Sequence, residues 1–250
     1  MLPNALFLLT LALAPLATAH GKVTVVRGNA GGNGTALAIR GAIVPNTGPN
    51  SKTEVDTTVF PSTTLSTRGL GRTTGSGKNT LGMLVQAMAL SGSVLPQLTP
   101  GGNLSGTFHV VTADGAGPIQ AVLDPSATGD FRGGVVLNVV EQIPGVGGNF
   151  VGEGTGNGKK QTRGGLWERA TSAVGGLGRR GAANVNKSFG FVFSVPEGTK
   201  CTGTVAGMEG VCLVKIANAN KAGPFGGVVP VQMAAAGGGK AAACARAFVA

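Results

Sequence analysis

The sequence predicts a mainly β protein: an antiparallel β-sandwich with one short helix and long Gly-rich loops. Three observations carry this. Gly (45) and Pro (13) make up nearly a quarter of the 250 residues, so the chain turns often. Hydrophobic residues are nevertheless 42% and the mean hydropathy is +0.25, too apolar for a solvated disordered chain. The apolar residues fall in short β-branched runs separated by Gly, Pro, Asn and Asp, the pattern of sandwich strands and turns. The glycines have no three-residue period, against collagen, and dense Ala/Glu/Lys/Leu heptads are missing, against a coiled coil.

The elements follow in chain order. Residues 5–19 read ALFLLTLALAPLATA, an apolar run too short to span a bilayer comfortably, ending in Ala17-Thr18-Ala19. This predicts a secretory signal peptide over residues 1–19, cleaved to leave His20 first. No transmembrane helix is expected in the remainder. Strands are predicted at Lys22–Val26, Thr35–Val44, Gly106–Thr112, Val135–Val140, Ser188–Val195, Cys212–Ala217 and Val228–Met233. Phe189, Phe191 and Phe193 share one face by their spacing, and 135–140 reads as a buried run. Leu81, Leu84, Val85 and Met88 instead recur at helical spacing, predicting a helix over 80–91, started by Asn79 or Thr80 and stopped by Gly92. Residues 145–182 read as a long Gly-rich loop or insertion, and 236–250 as an Ala/Gly tail. Residues 20–235 form a single domain on this reading.

A net charge of +10 does not make a nucleic-acid binder. The basic residues are thinly spread, and with one Trp and no Tyr there is little to stack on bases. Secretion permits disulfides. Cys201 and Cys212 flank a Gly-rich turn and can close a hairpin, leaving Cys244 over. Asn33, Asn103 and Asn186 each begin an Asn-x-Ser/Thr sequon, a glycosylation acceptor.

The two histidines carry the sharpest chemistry. Once the signal is removed, His20 presents a free α-amine and an imidazole on one residue. The amine titrates at about 7.7–8.0, so it becomes a neutral donor at modest cost. Amine nitrogen and ring Nδ1 form a chelate, and the His109 ring completes a three-nitrogen set suited to Cu(II). This is a histidine brace, with copper as the expected cofactor. Other chemistry is poorer. Asp114, Asp124, Asp130 and Glu141 are the carboxylates a glycosidase would have to draw on, but no acidic motif joins them. There is no G-x-S-x-G elbow, and Gly-Ser-Gly-Lys at 75–78 lacks phosphate-loop spacing.

Several segments resemble the Gas-type appressorium-associated secreted proteins of plant-infecting fungi: His20-Gly21, HVVTADGAGP at 109–118, FSVPEGTKCTG at 193–203, VCLVKIANANKAGPFGG at 211–227 and VPVQM at 229–233. The resemblance spans most of the mature chain and implies an infection-linked secreted protein. A more distant resemblance is to copper lytic polysaccharide monooxygenases, with an N-terminal His, a second His in mid-chain and an immunoglobulin- or fibronectin-like sandwich. It implies oxidative action on cell-wall or cuticle polysaccharide and Phe225 as the axial residue beside copper; a monomer is expected. Val228 stands where that pattern carries Cys, and Gly223 where it often carries Gln. The alternatives are a non-catalytic copper-binding protein and a wall-associated structural or adhesive effector drawn by its charge to acidic polymers.

Overall fold

Alternating β-branched residues build two antiparallel sheets. The computed structural model describes residues 21–40, 55–151 and 184–234. Its strands are β1 (Gly21–Gly28), β2 (Gly31–Gly34), β3 (Thr58–Val59), β4 (Arg72–Thr73), β5 (Gly77–Lys78), β6 (Gln97–Leu98) and β7 (Asn103–Thr112). They continue with β8 (Ile119–Asp124), β9 (Val135–Val136), β10 (Asn138–Glu141), β11 (Asn184–Ser194), β12 (Gly203–Val205), β13 (Met208–Asn218) and β14 (Phe225–Met233). One sheet has the order β10-β11-β7-β1-β2, the other β5-β4-β3-β14-β13-β8-β9, with β12 beside β13 and β6 running parallel to the end of β14. The predicted sandwich is therefore present.

Alternation along β13 and β14 divides the interior in two. Cys212, Val214, Ile216, Val229 and Val231 face the first sheet, where they meet Val23, Phe108, Val110, Phe191 and Phe193. Val211, Leu213, Ala217 and Val228 face the other way, onto Leu37, Phe60, Leu65, Leu84 and Phe131. Outside β4 and β5, the segment from Phe60 to Leu95 thus forms a third layer over the second sheet. It contains a 3-10 turn, Leu81–Met83, running into the helix α1, Leu84–Ser91, which ends at Gly92.

Four expectations change in detail. The stretch from Thr35 to Ile39 is buried but not a strand. Ala38 has a left-handed φ of 67°, and Leu37 N–H leaves the ladder pattern to reach Val228 O at 2.8 Å. Residues 41–54 lie outside the described residues. The run 135–140 is not buried: Val136 and Val140 are about three-fifths exposed, because β9 and β10 are the outermost strands of their sheets and only Leu137 between them turns inward. The 3-10 turn has no side-chain cap. Asn79 instead accepts from Thr73 Oγ1 (2.8 Å) and donates to Leu70 O (3.2 Å). Finally β8 was not anticipated; Pro118 and Asp124-Pro125 bracket it so closely that it reads as a loop.

Cys201 and Cys212 are joined as expected, across 11 positions. Cys212 is fully buried in β13, so the bridge ties the segment before β12 to the inter-sheet core. Removing it with the pair Cys201→Ala/Cys212→Ala is expected to cost about 3 kcal/mol. Denaturant midpoints of wild type and variant, each with and without reductant, check this: reductant should move only the wild type. The signal segment, Cys244, residues 152–182 of the Gly-rich insertion and the tail lie outside the described residues.

Candidate functional site

The start of β1, the end of β7, the end of β13 and the start of β14 meet at one end of the sandwich. Gly21 opens β1 opposite Val110, and Lys22 stands opposite His109. On the far side of β7, Ser188 of β11 is also in register with His109. Lys22, His109 and Ser188 therefore form one row across three strands, on the face turned away from the inter-sheet core, since their neighbours Val23, Phe108 and Val110 point inward. Lys22, His109 and Val111 are nonetheless buried. His109 Nδ1 lies 3.0 Å from Ser188 Oγ, which sets the orientation of the ring.

This end is built for close approach. A Cβ on Gly21 would lie 2.6 Å from the Phe108 ring and 2.7 Å from Gly115 O, so only glycine lets β1 start against the turn 113–115. That turn is held from the second sheet by Asn218 and Asn220. Asn218 Nδ2 donates to Ala116 O (2.9 Å), and its Oδ1 accepts from Phe225 N–H (2.9 Å). Asn220 Nδ2 donates to Asp114 O (2.7 Å), and Ala222 N–H donates back to Asn220 Oδ1 (2.8 Å). The loop after Pro144 packs on the same turn, through Ala116 N–H to Gly148 O and Gly117 N–H to Pro144 O. Gly148, at φ 83°, sits where a Cβ would strike Asn220, so it too must be glycine.

Of the predicted site residues, His109 and Phe225 come to the same end but lie in different sheets. Phe225 heads β14, fully buried, and pairs with Val59 of β3. His20 lies outside the described residues. It directly precedes Gly21, whose partner is the residue next to His109. Asn33 and Asn103 are exposed and accessible for modification; Asn186 is half-buried in a bulge of β11, with φ 46°.

Three of the four candidate carboxylates are used structurally. Asp124 is buried and accepts from Ser126 N–H (2.9 Å) and Gly129 N–H (2.8 Å). Arg132 and then Arg68 hydrogen-bond Asp130 and hold its carboxyl well below the usual range. Asp114 accepts from Thr112 Oγ1 at 2.6 Å, and Glu141 sits exposed on the outer strand β10.

Four residues were missed from sequence. Ser188 is 79 positions from His109, and no local signal links them. Asn218 and Asn220 had a signal, Asn-x-Asn closing a buried strand, which marks a turn whose side chains bond backbone. Lys215 had one too, a lone cation inside the apolar run VCLVKIA. It is buried beneath the third layer, with Nζ 2.8 Å from Thr67 O and 3.2 Å from Leu65 O. The Phe131 ring centre lies 4.1 Å away. Burial pushes its pKa down to about 8, partly opposed by the Asp130 carboxylate.

No helix among the described residues is long and apolar enough to cross a membrane. No solved structure matches the chain. The appressoria-specific virulence factor GAS1 of Pyricularia oryzae is 33% identical over 232 residues, covering 92% of this chain and 78% of that protein. GAS2 of the same organism is 27% identical over 168 residues, covering 67% of this chain and 48% of GAS2. Residues 18–226 match the description of the Egh16-like virulence factors, and the chain belongs to that family.

Proposed function

We propose that this protein is a secreted, copper-binding histidine-brace protein that acts oxidatively on cell-wall or cuticle polysaccharide during infection, in the manner of a lytic polysaccharide monooxygenase. The observation that carries the reading is the β1–β7 register. Gly21 stands opposite Val110 and Lys22 opposite His109. The brace requires His20 beside His109, and the residues that directly follow His20 run alongside that part of β7. The donor chemistry fits. Ser188 engages His109 Nδ1, so Nε2 is the nitrogen that would meet the metal, with Ser188 fixing the ring as an outer partner. His20 would contribute its α-amine and ring nitrogen, and secretion with cleavage before residue 20 is part of the proposal. Copper, when bound, supplies one-electron chemistry with dioxygen or peroxide. Phe225 lies in the second sheet, whereas His109 faces away from it across the first, so the axial role expected for Phe225 is no part of this proposal.

Intact-mass measurement of the secreted protein is expected to find His20 first; any other first residue sinks the brace. Copper titration with EPR should then show three-nitrogen binding in wild type. His109→Ala is expected to weaken it by about a hundredfold or more, and Ser188→Ala by about tenfold. Equal binding by wild type and His109→Ala removes His109 from the ligand set. One observation favours a second reading, a copper carrier or wall-bound effector without catalysis. The exposed large apolar side chains among the described residues are all Val or Leu, a poor platform for stacking on flat sugar rings. Reductant-driven product profiling on glucan, chitin and pectin separates the two.

A further inference from the structure

The second sheet carries a row of side chains that runs from core to solvent. Phe225 pairs with Val59, Val59 with Arg72, and Arg72 with Lys78. Directly opposed residues share a face, so these four line up along one side of the sheet. Phe225 is buried, Val59 is half-buried, and Arg72 and Lys78 are exposed. Three strand spacings put Lys78 about 14 Å from Phe225. Two cations directly opposite one another on an antiparallel hairpin repel. Neither has an acidic partner among the described residues. A third cation, Arg40, is fixed at the tip of the same hairpin, with Nη2 2.9 Å from Gly75 O and Nε 3.3 Å from Ser76 Oγ. The carboxylate beside it, Asp56, is buried and occupied by Arg40 N–H at 2.8 Å.

We infer that the β4–β5 hairpin is a docking strip for an acidic polysaccharide, a linear polymer of carboxylate-bearing sugars held by Arg72 and Lys78 with Arg40 beside them. A single lysine is enough to guard an outer strand against edge-to-edge pairing. An opposed Arg–Lys pair beside a third cation exceeds that need and matches a polymer that presents successive negative charges. Guanidinium takes a carboxylate through two parallel hydrogen bonds, and ammonium takes the next as a point charge. A nucleic acid would use the same charges but also wants aromatic faces for its bases, and the exposed large apolar side chains among the described residues are aliphatic. The strip goes beyond the copper reading and does not depend on it.

The test is binding of the metal-free secreted protein to immobilised polygalacturonate, with its fully methyl-esterified form and single-stranded DNA as comparison surfaces. Wild type is expected to bind polygalacturonate, more weakly as salt rises. R72Q/K78Q should lose about tenfold or more in affinity. The charge-matched pair R27Q/K200Q, at exposed positions away from the hairpin, should lose far less, and the conservative R72K/K78R should keep most of the binding. The inference is overturned if wild type does not bind, or if the two charge-removing pairs lose affinity equally. Binding to the ester or to DNA as tight as to the acid overturns it as well. Circular dichroism confirms that each variant is folded before its affinity is read.

Discussion

Lys215→Ala is expected to lower the unfolding free energy by about 4 kcal/mol, seen as a fall in Tm of roughly 10 °C. Lys215 is fully buried under the third layer, where its ammonium bonds the carbonyls of Leu65 and Thr67 and lies against the Phe131 and Phe60 rings. Truncation leaves a cavity beside those rings and strips two carbonyls of a donor. The same site has a pH signature. The unfolded chain holds the lysine proton to about pH 10.5, the folded chain only to about 8. Below 8 both states carry the proton, and above 10.5 neither does. Between the two the unfolded state binds more protons, so this group makes stability rise with pH. The charges that bear on it are Asp130 and the two arginines paired with Asp130, Arg68 and Arg132. Lys215→Met keeps most of the volume but cannot titrate. Relative to that variant, wild type should gain on the order of 3 kcal/mol between pH 7 and about 10.5. Parallel pH profiles for the two proteins would show that Lys215 keeps an ordinary pKa in the fold.

Lys215 also marks the limit of what the sequence made legible. The strands at 22–26, 106–112, 188–195, 212–217 and 228–233 were readable because alternation records which side chains are buried, and there burial and ladder coincide. At 35–40 they do not. Ala36, Leu37 and Ile39 are buried, but the backbone turns through a left-handed Ala38 instead of pairing. Periodicity reports burial, not hydrogen bonding, and cannot tell those cases apart. At 135–140 the reverse holds: a run of valines forms outer strands and stays largely in solvent. The site shows the same division. His109 stood out because histidine is scarce, whereas its partner Ser188 is ordinary in composition and 79 positions away. Lys215 was visible as an odd residue in an apolar run. Its oxygen partners lie about 150 positions away, in a segment that no local signal marks as its cover.

Asn218→Leu is expected to cost about 3 to 5 kcal/mol, although it exchanges one buried side chain for another of similar size. Asn218 joins three strands' ends with one amide. Its Nδ2 serves Ala116 O, and its Oδ1 serves Phe225 N–H at 2.9 Å and Asn220 N–H at 3.4 Å. Leucine leaves these backbone groups buried without that partner, at about 1–3 kcal/mol for each one orphaned. The gain in apolar contact is small because the site is already closed, with Asn218 2% exposed. The damage should be local before it is global. The Phe225 amide should exchange its hydrogen at least about tenfold faster in the variant, while the Phe108 and Phe191 amides in the first sheet keep nearly their wild-type protection relative to global unfolding. The turn 113–116, against which Gly21 is packed, loses one of its two asparagine anchors. If the brace is real, copper affinity should fall with it although no proposed ligand has been touched. A loss of stability below about 1 kcal/mol, with Phe225 exchange unchanged, would mean that the head of β14 is held by its pairing with β3 and β13 alone.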